Sequence, residues 1–103
     1  MVDKLERIWL DGELVHWDDA RVSVLTHTLH YGTGAFEGIR CYRRENGESA
    51  VFRLREHIDR LFASAKILQL VIPFDREATV RACVETVRVN HLDACYLRPL
   101  VYL

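Results

Sequence analysis

Arginine makes the clearest chemical offer in this sequence. Phe36, Gly38, Arg40 and Tyr42 stand two apart, and so do Tyr96, Arg98, Leu100 and Tyr102. On a β-strand, residues two apart share a face. Each of these faces sets an arginine among aromatic side chains, and the first adds a glycine. A guanidinium is a planar fork of donors that matches a carboxylate or a phosphate. An aromatic-lined face with one fixed cation therefore suits a small anion that has an apolar part. The plainer alternative stays open at this point, namely that both arginines are surface residues on half-exposed strands. Arg60 lies between Ile58 and Leu61, off an apolar helical stripe, where an arginine is ordinarily solvated. His57, one turn earlier, is a candidate companion.

Other chemistries find less support. His27 and His30 would share a helix face as metal ligands can, but no cysteine or carboxylate cluster completes a zinc set, so no metal site is expected. Gly32-Thr33-Gly34 lacks the Gly-Lys-Ser/Thr of a P-loop and the strand–turn–helix context of a dinucleotide fingerprint. No Ser/His/Asp set can be assembled from spacing. Cys83 falls on a helical stripe and reads as core. Cys41, Cys83 and Cys95 form no CxxC pair and read as reduced thiols.

Strands and helices must position these residues. Asp11-Gly12, between Ile8-Trp9-Leu10 and Leu14-Val15-His16-Trp17, is a hairpin signal because this dipeptide accepts positive φ. Asp18-Asp19 reads as a turn, and Val22 and Val24 alternate like a short strand. His27 to Gly38 is irregular and glycine-rich. Phe36 to Tyr42 reads as a strand, Asn46-Gly47 as a hairpin tip, and Ala50 to Leu54 as the returning strand. Ile58, Leu61, Phe62, Ala65 and Leu68 recur at helical spacing, and so do Val80, Cys83, Val84 and Val87. Pro73 separates the two helices, with Asp75 as N-cap of the second and Asn90 as its stop. Cys95 to Leu103 is an apolar, β-prone run. Strands followed by helices and a last strand imply an α+β fold: a mostly antiparallel sheet with two helices packed on one face.

The 103 residues suit one domain, and a composition 50% hydrophobic and 28% charged is that of a soluble globular chain. A net charge of −1 argues against a nucleic-acid partner. The stretch Ile67 to Phe74 is interrupted by Gln69 and Pro73 and is too short to span a membrane. The residues from Met1 to Arg7 hold no apolar signal core, so a cytoplasmic location is expected. Leu100-Val101-Tyr102-Leu103 ends inside an apolar strand, so residues 1–103 are expected to be a truncated piece of a longer protein.

Longer words of the sequence are more specific. His30-Tyr31-Gly32-Thr33-Gly34-Ala35-Phe36-Glu37-Gly38-Ile39-Arg40-Cys41-Tyr42 resembles the small-domain signature of branched-chain aminotransferases, fold-type IV enzymes that use pyridoxal phosphate. Phe52 to Leu61 and Tyr96 to Leu100 resemble two further blocks, and Ile8 to Glu13 and Trp17 to Ala20 also fit. The resemblance runs over essentially the whole chain. It implies an N-terminal small domain of an enzyme that moves an amino group between leucine, isoleucine or valine and 2-oxoglutarate. It implies that Arg60 binds the cofactor phosphate, and that Phe36 and Gly38 line the pocket for the substrate side chain. Tyr96 and Arg98 would handle the side-chain carboxylate of glutamate, with the Tyr96 hydroxyl holding the guanidinium or sharing the carboxylate. Tyr31 would reach the neighbouring subunit of a homodimer. Arg40 belongs to the signature without a firm role. The family's Schiff-base lysine has no counterpart, because Lys4 lies in the N-terminal tail and Lys66 in a helix the family does not use for catalysis. The chain alone is therefore expected to be inactive. D-amino-acid aminotransferases and aminodeoxychorismate lyases share the domain and are the nearest rival readings. A free-standing, non-catalytic anion-binding module using Arg40, Arg60 and Arg98 is the other.

Overall fold

In the computed structural model, which describes residues 3–103, Asp11 and Gly12 both take positive φ (50° and 98°). They turn β1 (Arg7–Leu10) back onto β2 (Glu13–His16), with Ile8 opposite Val15 and Trp9 opposite Leu14. Residues 1 and 2, the start of the stretch read for a signal core, lie outside the described residues. Asp18-Asp19 belongs to a single 3-10 turn, Trp17–Asp19. The strand expected at Val22 and Val24 does not form, and both side chains are exposed. Alternation alone does not make a strand where no neighbouring strand offers a ladder. The irregular stretch contains α1 (His27–Tyr31), closed by Gly32 in the left-handed region at φ 71°. Five residues are too few for a helix to stand by itself. Thr28 anchors it: its N–H donates to the Leu103 carbonyl at 3.1 Å, and its hydroxyl accepts from the Leu103 N–H at 2.7 Å.

The run from Phe36 to Tyr42 is two strands rather than one. β3 (Gly34–Phe36) and β4 (Ile39–Arg43) are separated at Glu37-Gly38. The run from Cys95 to Leu103 is likewise split at Arg98-Pro99 into β6 (Cys95–Leu97) and β7 (Leu100–Tyr102), beyond a short β5 (Ser49–Val51). Proline has no N–H for a ladder, which explains the second break. The two breaks meet: the Glu37 N–H donates to the Pro99 carbonyl at 3.1 Å. β3 pairs with β7, and β4 pairs with β5 on one side and β6 on the other, all antiparallel. The fold is thus α+β with antiparallel pairing as expected, but among the described residues its strands form three small sheets instead of one.

The helices match their apolar periodicity. α2 (Leu54–Ile67) buries Ile58, Leu61 and Ala65, and α3 (Arg76–Val89) buries Val80, Cys83 and Val87. The Asp75 carboxylate caps α3 by accepting from the Ala78 N–H at 2.7 Å. Asn90 ends α3 and also ties it to β1: its Oδ1 accepts from the Arg7 N–H at 2.9 Å, and its Nδ2 donates to the Arg7 carbonyl at 3.0 Å. α2 packs on α3 and β3, while α3 packs on β1. Ala35, Ile39, Ile58, Leu61, Val80 and Cys83 form the core. Among the described residues no helix is long and apolar enough to cross a membrane. Cys41 stands opposite Cys95 across β4 and β6, and both are free thiols. Burial pushes the Cys83 and Cys95 thiols up to about 11.

Candidate functional site

Alternation survives the break between β3 and β4. Glu37, Ile39 and Cys41 point inward and are buried, while Phe36 and Tyr42 are each 54% exposed. Because Arg40 lies opposite Tyr96 in the β4–β6 register, two distant stretches of chain meet on the outer side. The Arg98 guanidinium carbon lies 4.2 Å from the centre of the Phe36 ring and 5.4 Å from that of Tyr96. Its Nη2 donates to the Tyr96 hydroxyl at 3.0 Å. Arg40 approaches the same Tyr96 ring to 5.5 Å. A Cβ on Gly38 would stand 2.1 Å from the Tyr96 hydroxyl oxygen, so only glycine leaves the tyrosine in this place. A guanidinium over an aromatic face gains about 0.5–1 kcal/mol when exposed. Arg98 is therefore held over an apolar ring while its remaining donors stay available.

A second cluster lies one residue away. Glu37 is 4% exposed, the one buried charged or polar residue among those described. Its Oε2 accepts from Arg60 Nε at 2.8 Å, and its Oε1 accepts from Arg60 Nη2 at 2.7 Å and from His57 Nδ1 at 2.8 Å. His57 and Arg60, three apart on α2, reach it from one helix face. The Arg60 hydrogen bonds hold the Glu37 carboxyl below its ordinary range against the opposing effect of burial, and His57 adds to them. The same contact raises Arg60. Arg60 is 67% exposed, and its Nη1 has no protein partner among the described residues. One edge of the guanidinium is engaged and the other is open, which fits a phosphate. Sequence reasoning named Arg60 and His57 but missed Glu37. The signal was present: Glu37 falls on the inward face with Ile39 and Cys41, where a carboxylate needs partners.

The remaining sequence candidates lie apart from these clusters. Tyr31 is 75% exposed on α1, its ring 4.6 Å from that of His27. His30 Nε2 donates to the Val24 carbonyl at 2.7 Å. Lys4 pairs with Asp18, and Lys66 is exposed in the last turn of α2. A groove of about 330 Å³ runs beside Phe36, between Gly34 and Ala35 of β3 and Ser64, Ile67 and Leu68. A larger concavity of about 380 Å³, between the first hairpin and α3, contains none of the sequence-predicted site residues.

Residues 34–103 match the model for amino-transferase class IV, and the chain belongs to that family. It is 51% identical over 102 residues to the branched-chain-amino-acid aminotransferase of Pseudomonas aeruginosa, covering 99% of this chain and 33% of that protein. It superposes with a TM-score of 0.92 at 46% identity on a branched-chain amino acid aminotransferase from T.th. complexed with N-(5'-phosphopyridoxyl)-L-glutamate, covering 96% of this chain and 33% of the other. The same T.th. enzyme complexed with 4-methylvaleric acid gives 0.94 at 46% identity, covering 97% and 33%. The chain spans about a third of the length of the curated relatives it matches.

Proposed function

We propose that these residues are the small domain of a longer, pyridoxal-phosphate-dependent branched-chain amino-acid aminotransferase and form one wall of its active site. The observation that carries this reading is the convergence of Phe36, Gly38, Tyr96 and Arg98 on one face. The identity to the P. aeruginosa enzyme supports the branched-chain type over the D-amino-acid aminotransferase, aminodeoxychorismate lyase and non-catalytic readings.

Such an enzyme must accept an apolar side chain and a carboxylate in the same place. Phe36 and Gly38 supply the apolar wall. With leucine, isoleucine or valine bound, Arg98 keeps its contacts with the Phe36 and Tyr96 rings and the Tyr96 hydroxyl, which avoids the cost of burying an unpaired charge. With glutamate or 2-oxoglutarate bound, its free donors take the side-chain carboxylate. The relatives complexed with 4-methylvaleric acid and with a phosphopyridoxyl glutamate support this dual use. Arg60 holds the cofactor phosphate through its open edge. When bound, the cofactor supplies the electron sink for amino-group transfer. Tyr31, exposed on α1, reaches the neighbouring subunit of a homodimer. The lysine that would move the proton lies outside this chain.

Two experiments test the reading. The purified chain mixed with pyridoxal phosphate should show no visible absorption band that L-leucine removes and no turnover; turnover would overturn the assignment of the lysine elsewhere. The chain joined to the remaining part of the P. aeruginosa enzyme should transaminate L-leucine with 2-oxoglutarate. Turnover of D-alanine instead would overturn the branched-chain assignment.

A further inference from the structure

We propose that Glu37 is a positioning residue: it presets the Arg60 guanidinium so that the open edge faces a phosphate monoester. This rests on the reading of Arg60 as the phosphate grip and adds the group that makes the grip rigid. A carboxylate beside a phosphate site needs a reason, because its charge offsets the cation and repels the incoming dianion. Geometry supplies one. Two hydrogen bonds, Nε to Oε2 and Nη2 to Oε1, fix both the direction and the plane of the guanidinium. The engaged donors are Nε and Nη2, so Nη1 is left for the ligand. Arginine is otherwise a long side chain with many rotamers, and phosphate binding would have to order it.

Glu37 is itself held firmly. His57 occupies its Oε1, its N–H bonds the Pro99 carbonyl, and Phe36 and Gly38 flank it in the chain. One buried residue thereby sets the phosphate grip in register with the substrate-side wall. Burial of a carboxylate is costly, and this cost is met by partners that include the ligand-binding arginine.

The test uses inorganic phosphate and the 103-residue chain at constant ionic strength. Arginine Nε–H signals are followed by 15N NMR, with Arg60→Lys identifying the Arg60 signal. The wild-type Arg60 Nε–H should exchange more slowly than that of exposed Arg81, and phosphate should shift it. Glu37→Gln and Glu37→Asp should each weaken phosphate binding several-fold while the amide spectrum stays folded. The Gln variant removes a negative charge, so binding equal to or tighter than wild type overturns the positioning role and leaves Arg60 as the grip. Failure of phosphate to shift the wild-type signal overturns both. Should the Gln variant not fold, the Asp variant decides, because it keeps the charge and loses the reach: unchanged binding overturns the proposal. Fast exchange of the wild-type Arg60 Nε–H overturns it without any variant.

Discussion

Glu37 shares the inward face of its stretch with Ile39 and Cys41, yet it carries a charge, and Arg60 and His57 resolve that conflict. Removing Arg60 leaves the buried carboxylate with one side-chain partner, which is destabilising. Arg60→Ala should therefore lower the urea midpoint of unfolding, by a modest amount because water screens the exposed arginine; an unchanged midpoint would contradict the pairing. The pH dependence follows from the lowered Glu37 carboxyl. Folding holds this group ionised, so its contribution is full above the ordinary glutamate range and is lost as pH falls through the lowered folded value. Acid unfolding followed by circular dichroism should be shallower in Glu37→Gln than in wild type over that window, and equal slopes would count against it. Periodicity showed which residues share a face around position 37. It did not show which face was buried, since Phe36, Arg40 and Tyr42 made the outer side the conspicuous one.

Helices α2 and α3 were legible because a 3.6-residue stripe is a local signal that packing then uses. Leu61→Ala, at a fully packed α2 position, should cost about 2–5 kcal/mol, and Asp75→Ala, at the α3 cap, about 0.5–2 kcal/mol; thermal unfolding of both variants should rank them in that order. The splits between β3 and β4 and between β6 and β7 were not legible. They arise where two stretches change partners together, and Gly38 and Pro99 are their only local marks. Val22 and Val24 show the converse, a local alternation without a partner strand. α1 had no readable period because its five residues rest on Thr28 and the end of β7. Gly38 shapes the site through its missing side chain. Gly38→Ala should push Tyr96 aside and break its bond to Arg98, while half-exposed Tyr96 can swing away at little cost in stability. Unchanged melting with a displaced Tyr96 ring signal in NMR is the expected result, and an unmoved Tyr96 would contradict the contact.

At the scale of the whole molecule, the three small antiparallel sheets and two long helices of the described residues carry two clusters that meet at the Glu37-Gly38 junction. One cluster leaves an arginine edge open beside a buried carboxylate, and the other sets an arginine over an aromatic wall. Under the proposed function, the first anchors the cofactor and the second selects the side chain, with the remaining chemistry supplied by sequence beyond this third of the relatives' length. The family resemblance implied one role for Phe36 and Gly38 and another for Tyr96 and Arg98; residue spacing placed the two pairs on separate strand faces and left their meeting to the β4–β6 register. The most direct measurement is a pair of half-reactions in the protein that joins this chain to the rest of the P. aeruginosa enzyme. Charged hydrogen bonds worth about 1.5–3 kcal/mol imply that Arg98→Ala slows the glutamate half-reaction roughly 10–100-fold in kcat/KM. The leucine half-reaction should stay near wild type. Equal losses in both half-reactions, or none in either, would contradict a carboxylate-selecting role for Arg98 on the Phe36 wall.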